Sequence, residues 1–537
     1  MTEFIEDVKK LRENLNDIRS GLKLDIQRLD QRFGADQENT DERFEALEKI
    51  ILSSNNFMKS FASSIIEMSA EVMKQPAPCD FAAVGIGSLG RGEATPFSDV
   101  EYLFLIADPE QNTYFERLAV MTYFLIGALR ETKLSSMDID ELKGWFVDGR
   151  KKGYQIDGIT ESSSNIPTYK QSRPNLFITT PPDLLQAYEL TLHNPGEDAV
   201  KGDLTAMLRF TTKIFPNEVG GSLLSEFENG RDHLQTDLPI VRVKSNIRML
   251  KTDLSKHEFS PEFDDYLAGF SMAAKSLLYR LPSLISADLA VILNNQSFNS
   301  SFDSIDSWQG KDFGGLLKVL LVYACYTRLR CYLYSDTCDD QFELESDEST
   351  QSSDRLSCVG KAQQHLVFEK RDVWNMSESE FYALCEQLLV LQSCTIPLTE
   401  SIDSAGHLKE CIGKISPGKG VRETILSNFY SLRWFSTLRA VKHIPEDQQY
   451  LLTDSKVIYA RARAHLQRKE YSEAIPLLDK IKHKKSGKLP IIDVYRGLAH
   501  SYQGIGSLEQ AEEIYLEANK LSIGSSKEQI LLKFEHA

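Results

Sequence analysis

One stretch of the chain, residues 81–108, limits the fold more than any other. It reads FAAVGIGSLGRGEATPFSDVEYLFLIAD. A short apolar run, Phe81 to Ile86, comes before a glycine-rich turn, and a second apolar run, Tyr102 to Ala107, comes after it. Short apolar runs bounded by glycine and proline are typical of buried strands. The stretch therefore predicts a strand, a glycine-rich loop and a second strand.

Two carboxylates stand at the start of the predicted second strand. Asp99 and Glu101 flank Val100. Because side chains alternate between the faces of a strand, we expect both carboxylates to point the same way and Val100 to enter the core. Mg²⁺ prefers oxygen ligands and is usually bound by one or two carboxylates together with substrate phosphates. We therefore expect Mg²⁺, or Mn²⁺ in its place, at this pair.

The loop between the two strands has the composition of a phosphate-binding segment. Its glycines let backbone N–H groups approach phosphate oxygens, and successive N–H groups form an anion-binding nest. Arg91 adds a charged fork for a triphosphate. A metal beside a phosphate cradle indicates phosphoryl or nucleotidyl transfer. The alternative is a tight turn with a solvated acidic pair, and the joint occurrence of these residues disfavours it.

These residues resemble a known family. Gly-Ser followed after about ten residues by Asp-apolar-Glu is similar to the signature of the polymerase-beta-type nucleotidyltransferase fold. The run Gly87 to Glu93, with Pro96 and Ser98 to Glu101 after it, resembles the N-terminal domain of bacterial PII uridylyltransferases. It also resembles a nucleotidyltransferase family often fused to CBS domains.

The resemblance implies roles for single residues. It implies metal binding by Asp99 and Glu101 and nucleotide binding by Gly87, Ser88, Arg91 and Ser98. Uridylyltransferases carry Asp at the position of Glu101, and the wider fold accepts either residue. The likeness is specific over about thirty residues and fades beyond about residue 200.

Related nucleotidyltransferases resemble one another in using a third carboxylate on a later strand, as a general base or an additional metal ligand. The segments GWFVD (144–148) and GYQID (153–157) are short strand candidates. Asp157 is our choice, because it ends an apolar strand and comes before a glycine, and Asp148 is the second candidate. An ordinary Asp at the end of a strand remains open for either position.

The N-terminal residues 1–52 predict one or two charged helices. Apolar residues recur at spacings of three and four from Val8 to Phe33, which is a heptad-like seam with one stutter. We expect either a coiled-coil-like segment that forms a homo-oligomer or captures a partner, or a helix that packs on its own protein. Residues 34–41 are expected to break the helix, and a second amphipathic helix is predicted at 53–76.

The rest of the chain reads as mostly helical. Residues 53–200 are predicted to form the nucleotidyltransferase domain, with helices at 113–131 and 181–190. A helical bundle over the active site is predicted at 201–334, an acidic linker at 335–357 and a further helical region at 358–450. The helices of the bundle are predicted at 206–215, 241–255, 263–281 and 316–334, with a loop at 294–307.

The C-terminal residues 451–537 resemble tetratricopeptide repeats. Tyr471, Ala474 and Leu478 in one unit match Leu508, Ala511 and Tyr515 in the next. Such helix pairs stack into a concave peptide-binding surface. A stabilising cap without a ligand is the alternative.

Composition excludes some classes of function. The net charge of −17 over 537 residues disfavours a general nucleic-acid binder, which needs an excess of Lys and Arg. The eight cysteines form no Cys-x-x-Cys pair, as expected for reduced thiols in the cytoplasm. The N-terminus lacks an apolar signal core, and the longest apolar runs are shorter than the roughly 20 residues that span a bilayer. We expect no membrane association.

The sequence therefore predicts an α+β fold, with a small mixed-sheet nucleotidyltransferase domain embedded in a mostly helical chain. The predicted function is metal-dependent transfer of NMP from an NTP to an acceptor hydroxyl, on a protein. The alternative is a catalytically inactive nucleotide-sensing scaffold that acts through its coiled-coil-like and repeat segments.

Overall fold

The structure is a computed structural model of the chain. Its described part is mostly helical and contains two small sheets. The described residues are 2–33, 40–98, 100–129, 156–157, 178–193, 208–215, 221–236, 238–257, 272–293, 298, 300–308, 311–336, 341–345, 374–399, 402, 404–415, 417–418, 420–430, 434–483 and 491–521.

Two long helices begin the chain, α1 (Thr2–Phe33) and α2 (Thr40–Met73). Residues 34–39 of the predicted break lie outside the described residues, and α2 runs without interruption through the boundary predicted at residues 52 and 53. The apolar seam of α1 is buried in this chain, and its members with less than 9% exposure are Leu11, Leu15, Leu22, Ile26, Leu29 and Phe33. Of the two interpretations of the seam, the structure has the helix that packs on its own protein.

The predicted strand–loop–strand is confirmed. β1 (Phe81–Gly85) pairs antiparallel with β2 (Val100–Ile106), with Gly85 opposite Tyr102. The glycine-rich turn after β1 forms one helical turn, α3 (Gly87–Gly90). Both strands are almost entirely buried, as their apolar sequences require.

The remaining strands of this sheet make it mixed, as predicted. β3 (Ile156–Asp157) and β4 (Ile178–Thr179) pair parallel with β2, and β5 (Thr212–Phe215) pairs antiparallel with β1. The helix predicted over 206–215 is therefore wrong at 212–215, although residues 208 and 209 are helical. Its β-branched and aromatic residues at 212–215 complete the sheet beside β1, and this pairing outweighs the local helical spacing.

Helices cover both faces of the sheet. α1, α2 and α4 (Asn112–Ala128) pack on one face, where Phe81, Phe104 and Phe115 form part of the core. α5 (Pro181–His193) and α6 (Gly221–Gln235) pack on the other face. The predicted helices at 113–131 and 181–190 correspond to α4 and α5.

A helical body follows the sheet and shares a large apolar core with the second half of α1. The predicted helices at 241–255 and 316–334 are found, and the predicted loop at 294–307 contains a short helix capped by Ser300, whose hydroxyl accepts from the Asp303 N–H at 3.1 Å. The elements are α7 (Ile240–Lys256), β6 (Met272–Ala273), a π-helical turn (Lys275–Tyr279), α8 (Arg280–Leu293), α9 (Ser301–Asp306) and α10 (Lys311–Ser335).

Two further predictions need correction. The helix predicted at 263–281 is interrupted, because β6 pairs with β7 (Gln341–Glu345). β7 itself lies within the predicted acidic linker 335–357, and it also pairs with β8 (Trp374–Ser377). The polar composition of residues 341–345 did not indicate a strand. β7 is stabilised by its pairing with β6 and β8, which are distant in sequence.

One segment in the described part of the chain, Lys275–Leu293, is long and apolar enough to cross a membrane by length and composition. Its 18-residue window is 78% buried inside the protein. Such burial is typical of the core helix of a soluble protein, which passes the same test.

The C-terminal part is helical, and its last four helices form two hairpins. Of the residues in the predicted repeat pattern, Ala474 and Ala511 are buried, whereas Leu508 is 67% exposed. The helices are α11 (Glu378–Thr395), α12 (Ala405–Lys414), α13 (Val421–Tyr430), α14 (Trp434–Lys442), α15 (Ser455–Gln467), α16 (Tyr471–Ile481), α17 (Ile491–Gly504) and α18 (Leu508–Leu521).

Candidate functional site

The centre of the candidate site is the contact between Glu101 and Gly87. Gly87 has a φ of +60°, and a β-carbon placed on it would stand 1.5 Å from Oε2 of Glu101. The backbone N–H of Ile86 donates to the carbonyl oxygen of Glu101 at 3.0 Å. Glycine is therefore favoured at position 87 for two reasons. It adopts the left-handed backbone conformation, and it leaves room for the Glu101 carboxylate. Glu101 itself is partly exposed at the start of β2.

Asp157, the residue chosen as the third carboxylate, pairs with Glu101 in the sheet. In the parallel pairing of β2 and β3, Val100 is opposite Ile156 and Glu101 is opposite Asp157. This register brings the backbone of Asp157 next to that of Glu101. Asp99, which comes directly before Val100, and the second candidate Asp148 lie outside the described residues.

The helical turn α3 is packed tightly against the chain before β5. A β-carbon on Gly90 would stand 2.2 Å from the carbonyl oxygen of Phe210, so no larger residue fits there without movement. Ser88 is partly exposed on this turn, and its carbonyl oxygen accepts from the N–H of Glu93 at 2.9 Å. The turn is thus rigidly placed between Glu101 and the start of β5.

The loop arginine is engaged within the protein. Nε of Arg91 donates to Oε2 of Glu93 at 3.0 Å, and Nη2 donates to the hydroxyl of Tyr279 at 3.4 Å. Neither bond uses Nη1. Burial by itself lowers the pKa of Arg91, but Glu93 and Tyr279 raise that pKa above its ordinary value. The side chain of Arg91 is 18% exposed, and its guanidinium is permanently charged.

Glu93 is a completely buried carboxylate, and both of its oxygens are bonded. Besides Arg91, Oε2 accepts from the hydroxyls of Tyr279 at 2.5 Å and Ser283 at 3.0 Å. Oε1 accepts from the hydroxyl of Ser301 at 2.8 Å. Sequence analysis placed Glu93 in the motif but gave it no role. The available signal was an acidic residue two positions after the loop arginine.

Ser98, predicted to bind the nucleotide, is buried in the turn before β2. Its hydroxyl accepts from the N–H of Thr95 at 2.9 Å and lies 2.9 Å from the Thr95 hydroxyl. The side chain therefore shapes the segment that leads to the carboxylates.

Side chains of α1 and α2 contact residues 94–97, which lie in the loop between α3 and β2. Nη2 of Arg19 in α1 donates to the carbonyl oxygen of Pro96 at 2.8 Å, and its guanidinium lies 4.0 Å from the ring centroid of Phe97. Asn55 in α2 accepts from the N–H of Ala94 at 3.1 Å. Sequence analysis missed these contacts. A charged residue at a seam position of α1, four residues after Leu15, was the signal for Arg19.

The residues fit a divalent cation by the type of their donors. Among the described residues, no group of three or more His, Cys, Asp or Glu side chains could hold a metal ion. Asp99 and the side chain of Asp157 lie outside the described residues. Of the three predicted carboxylates, Glu101 is therefore the one whose side chain is described. Carboxylate oxygens from positions 99, 101 and 157 would be hard donors of the kind that Mg²⁺ and Mn²⁺ prefer.

Comparison with protein families supports the class of a nucleotidyltransferase-type protein. Residues 35–132 match the family model described as Putative nucleotidyltransferase DUF294. The matched residues include α2, β1, α3, β2 and α4, and therefore both the glycine turn and the start of β2. A search of the curated proteins found no match.

Proposed function

We propose that this protein is a metal-dependent nucleotidyltransferase, which transfers NMP from an NTP to an acceptor hydroxyl. The observation that carries the proposal is the position of Glu101, between the left-handed glycine turn on one side and Asp157 in register on the other. A carboxylate between a tight glycine turn and a second acidic position combines a metal ligand with a phosphate-sized cradle.

Each predicted site residue has a role in this proposal. Asp99 and Glu101 would hold Mg²⁺ or Mn²⁺, and the metal, when bound, neutralises charge on the triphosphate. The backbone of Gly87 and the partly exposed Ser88 would contact the phosphates. Arg91 would contribute through Nη1, because its other bonding nitrogens are held by Glu93 and Tyr279. Ser98 would contribute indirectly, because its hydrogen bonds with Thr95 maintain the conformation of the loop.

The proposed reaction is an in-line displacement. The acceptor oxygen forms a bond to the α-phosphorus, and the bond between that phosphorus and the oxygen leading to the β-phosphorus breaks. Asp157 would take the proton of the acceptor hydroxyl, and pyrophosphate carries away the leaving electron pair. The balanced products are the NMP ester of the acceptor and pyrophosphate.

We propose a protein as the acceptor and the cytoplasm as the place of action. The two C-terminal helical hairpins support a protein partner, since stacked hairpins offer an extended surface for peptides. The net charge of −17 disfavours a nucleic acid.

An inactive nucleotide-sensing scaffold is the second candidate. The observation that favours it is the internal pairing of Arg91 with Glu93, which satisfies part of the charge that a triphosphate would otherwise meet. In this case the protein binds a nucleotide without releasing pyrophosphate.

The deciding experiment uses each α-labelled NTP with Mg²⁺ or Mn²⁺, both with purified protein alone and with added cell lysate. The control is the double variant Asp99→Ala/Glu101→Ala. Label on a protein band that requires the intact carboxylates supports the transferase. Nucleotide binding without carboxylate-dependent labelling or pyrophosphate release supports the scaffold.

A further inference from the structure

The loop that follows the glycine turn is bonded to the helical body through one buried cluster. We name this the Glu93 cluster, and it consists of Arg91, Glu93, Tyr279, Ser283 and Ser301. Two members come from the loop, and three come from the π-helical turn, α8 and α9, roughly 190 to 210 residues further along the chain.

We propose that Glu93 is a positioning residue, which fixes the glycine turn and the carboxylate-bearing end of β2 against the helical body. The inference rests on the proposed function for its effect on nucleotide binding. Its structural part, control of the conformation of residues 86–98, can be tested without any nucleotide.

Glu93 accepts four hydrogen bonds, one from the loop and three from the helical body. A fully buried carboxylate requires compensation for its lost hydration, and here Arg91 and three hydroxyls provide it. Because the hydroxyls belong to the helical body, the loop satisfies this charge only when the two parts are correctly placed. Such a network specifies one arrangement more sharply than apolar packing does.

Tyr279, which donates to Glu93, is itself held by contacts within the helical body. Tyr279 ends a π-helical turn, an uncommon distortion that is frequent at functional sites. The guanidinium of Arg328 lies 4.0 Å from the centroid of its ring, and Nη2 of Arg328 donates to the hydroxyl of Tyr332 at 2.9 Å. The ring of Tyr279, whose hydroxyl donates to Glu93, is thus packed against Arg328 of α10.

A continuous series of contacts leads from the helical body to Glu101. The N–H of Ser301 donates to the carbonyl oxygen of Arg91 at 2.8 Å, and the N–H of Arg91 donates to the carbonyl oxygen of Gly87 at 3.0 Å. Gly87 is in turn the residue against which Glu101 lies. A displaced Glu93 cluster therefore moves the backbone that surrounds the proposed metal ligand.

The first test measures amide hydrogen exchange in the nucleotide-free protein. Glu93→Gln removes the charge that holds Arg91, and Tyr279→Phe removes one hydroxyl while leaving the ring in place. We expect exchange at residues 86–98 to become faster by about tenfold or more in both variants, because a hydrogen bond to a charged group is lost. Tyr279→Phe keeps the test valid if Glu93→Gln does not fold.

The matched control is Glu48→Gln. Glu48 also joins an N-terminal helix to α10, through its contact with Nζ of Lys318 at 3.0 Å, but it lies outside the loop and the Glu93 cluster. This variant should leave exchange at 86–98 at the wild-type rate.

The second test measures binding of ATP, GTP, CTP and UTP with Mg²⁺. We expect the nucleotide that binds the wild type to bind both cluster variants about tenfold more weakly, with KM rising more than kcat falls, and the Glu48→Gln variant to bind normally. Loop exchange and nucleotide affinity that both stay at the wild-type level overturn the positioning role. A wild type that binds none of the four nucleotides overturns the proposed function instead, and loop exchange then decides the inference alone.

Discussion

The side chain of Glu101 lies directly against the backbone of Gly87, across the space that a β-carbon at position 87 would occupy. The two residues are 14 positions apart in the sequence and belong to different elements, α3 and β2. Any substitution at 87 therefore acts on the carboxylate as well as on the turn. This coupling gives a direct test of the site.

Gly87→Ala should reduce activity strongly. The new methyl group would lie 1.5 Å from Oε2 of Glu101, and the residue would keep a φ of +60°, which costs a non-glycine residue about 1 kcal/mol. We expect carboxylate-dependent labelling or pyrophosphate release to fall about 100-fold or more. Gly21→Ala is the control, because a β-carbon there meets no atom within 4 Å. A Gly87→Ala protein with wild-type activity would contradict the assigned geometry.

Glu101→Gln should remove metal-dependent activity while the fold persists. The amide keeps the size of the side chain but lacks the negative charge that a divalent cation requires. We expect a loss of about 100-fold or more in kcat/KM, which equals about 2.7 kcal/mol of transition-state stabilisation. Chelation with EDTA should do the same to the wild type, and Mg²⁺ should restore it. Circular dichroism of the variant checks the fold, and activity that survives both treatments would exclude the proposed role.

Asp157→Asn should affect activity more than Asp148→Asn does. Asp157 is in register with Glu101 across the parallel pair of β2 and β3, whereas the preference for it over Asp148 came from sequence context. We expect kcat to fall by about 100-fold for the variant at 157, as for the loss of a general base. Nucleotide affinity is measured alongside, to separate a base from a metal ligand. If Asp157→Asn and Asp148→Asn had equal activity, the assignment of Asp157 to the site would be wrong.

Leu15→Ala should destabilise the protein without changing its oligomeric state. Leu15 is completely buried in the core that α1 shares with the sheet. Replacement of a buried Leu by Ala usually costs about 2–5 kcal/mol. Chemical denaturation measures the loss, and light scattering measures the mass of the particle. Leu24→Ala on the same helix is the control, because Leu24 is 52% exposed. A change of mass caused by Leu15→Ala alone would indicate that the seam joins two chains.

Asp454 should make the C-terminal helices sensitive to acid. It caps α15 through the N–H groups of Lys456 and Val457 and accepts from Nε of Arg422 at 2.9 Å. Burial tends to raise the pKa of Asp454, but attraction to Arg422 and these hydrogen bonds lower the pKa below its ordinary value of 3.8. Its stabilising effect is therefore present above pH 3.8 and is lost as the pH falls through the lowered pKa.

The measurement compares the unfolding free energy of the wild type with that of Asp454→Asn from pH 7 downwards. Asn keeps the capping ability but not the charge. We expect the wild type to be more stable by about 1 kcal/mol at pH 7, and the difference to shrink only in the acid range. A difference that is independent of pH would assign the effect to the cap alone.

The parts of the fold that sequence patterns predicted are those with local causes. β1, the glycine turn and β2 are contiguous, and their apolar runs and glycines specify them directly. The helix α4 shows its apolar face in the sequence, and α5 begins at a pair of prolines, which fixes its start.

The elements that sequence patterns missed depend on distant partners. β5 has helical spacing but pairs with β1, which precedes it by more than 100 residues. The bonds of Glu93 with Tyr279, Ser283 and Ser301 join residues 186 to 208 positions apart, and no local pattern marks them. In the candidate site, sequence patterns singled out Glu101 as a predicted metal ligand, but they could not reveal that Gly87 makes room for it.

The bonds of the loop to Arg19 and to the Glu93 cluster bear on how this protein can be divided. A fragment cut to the family-matching residues 35–132 would keep the glycine turn, yet it would lose Arg19, Tyr279, Ser283 and Ser301. Glu93 would then lose its three hydroxyl donors, and Pro96 would lose its hydrogen bond from Arg19. The smallest unit that retains the loop at residues 86–98 in its native shape must reach from α1 to α10.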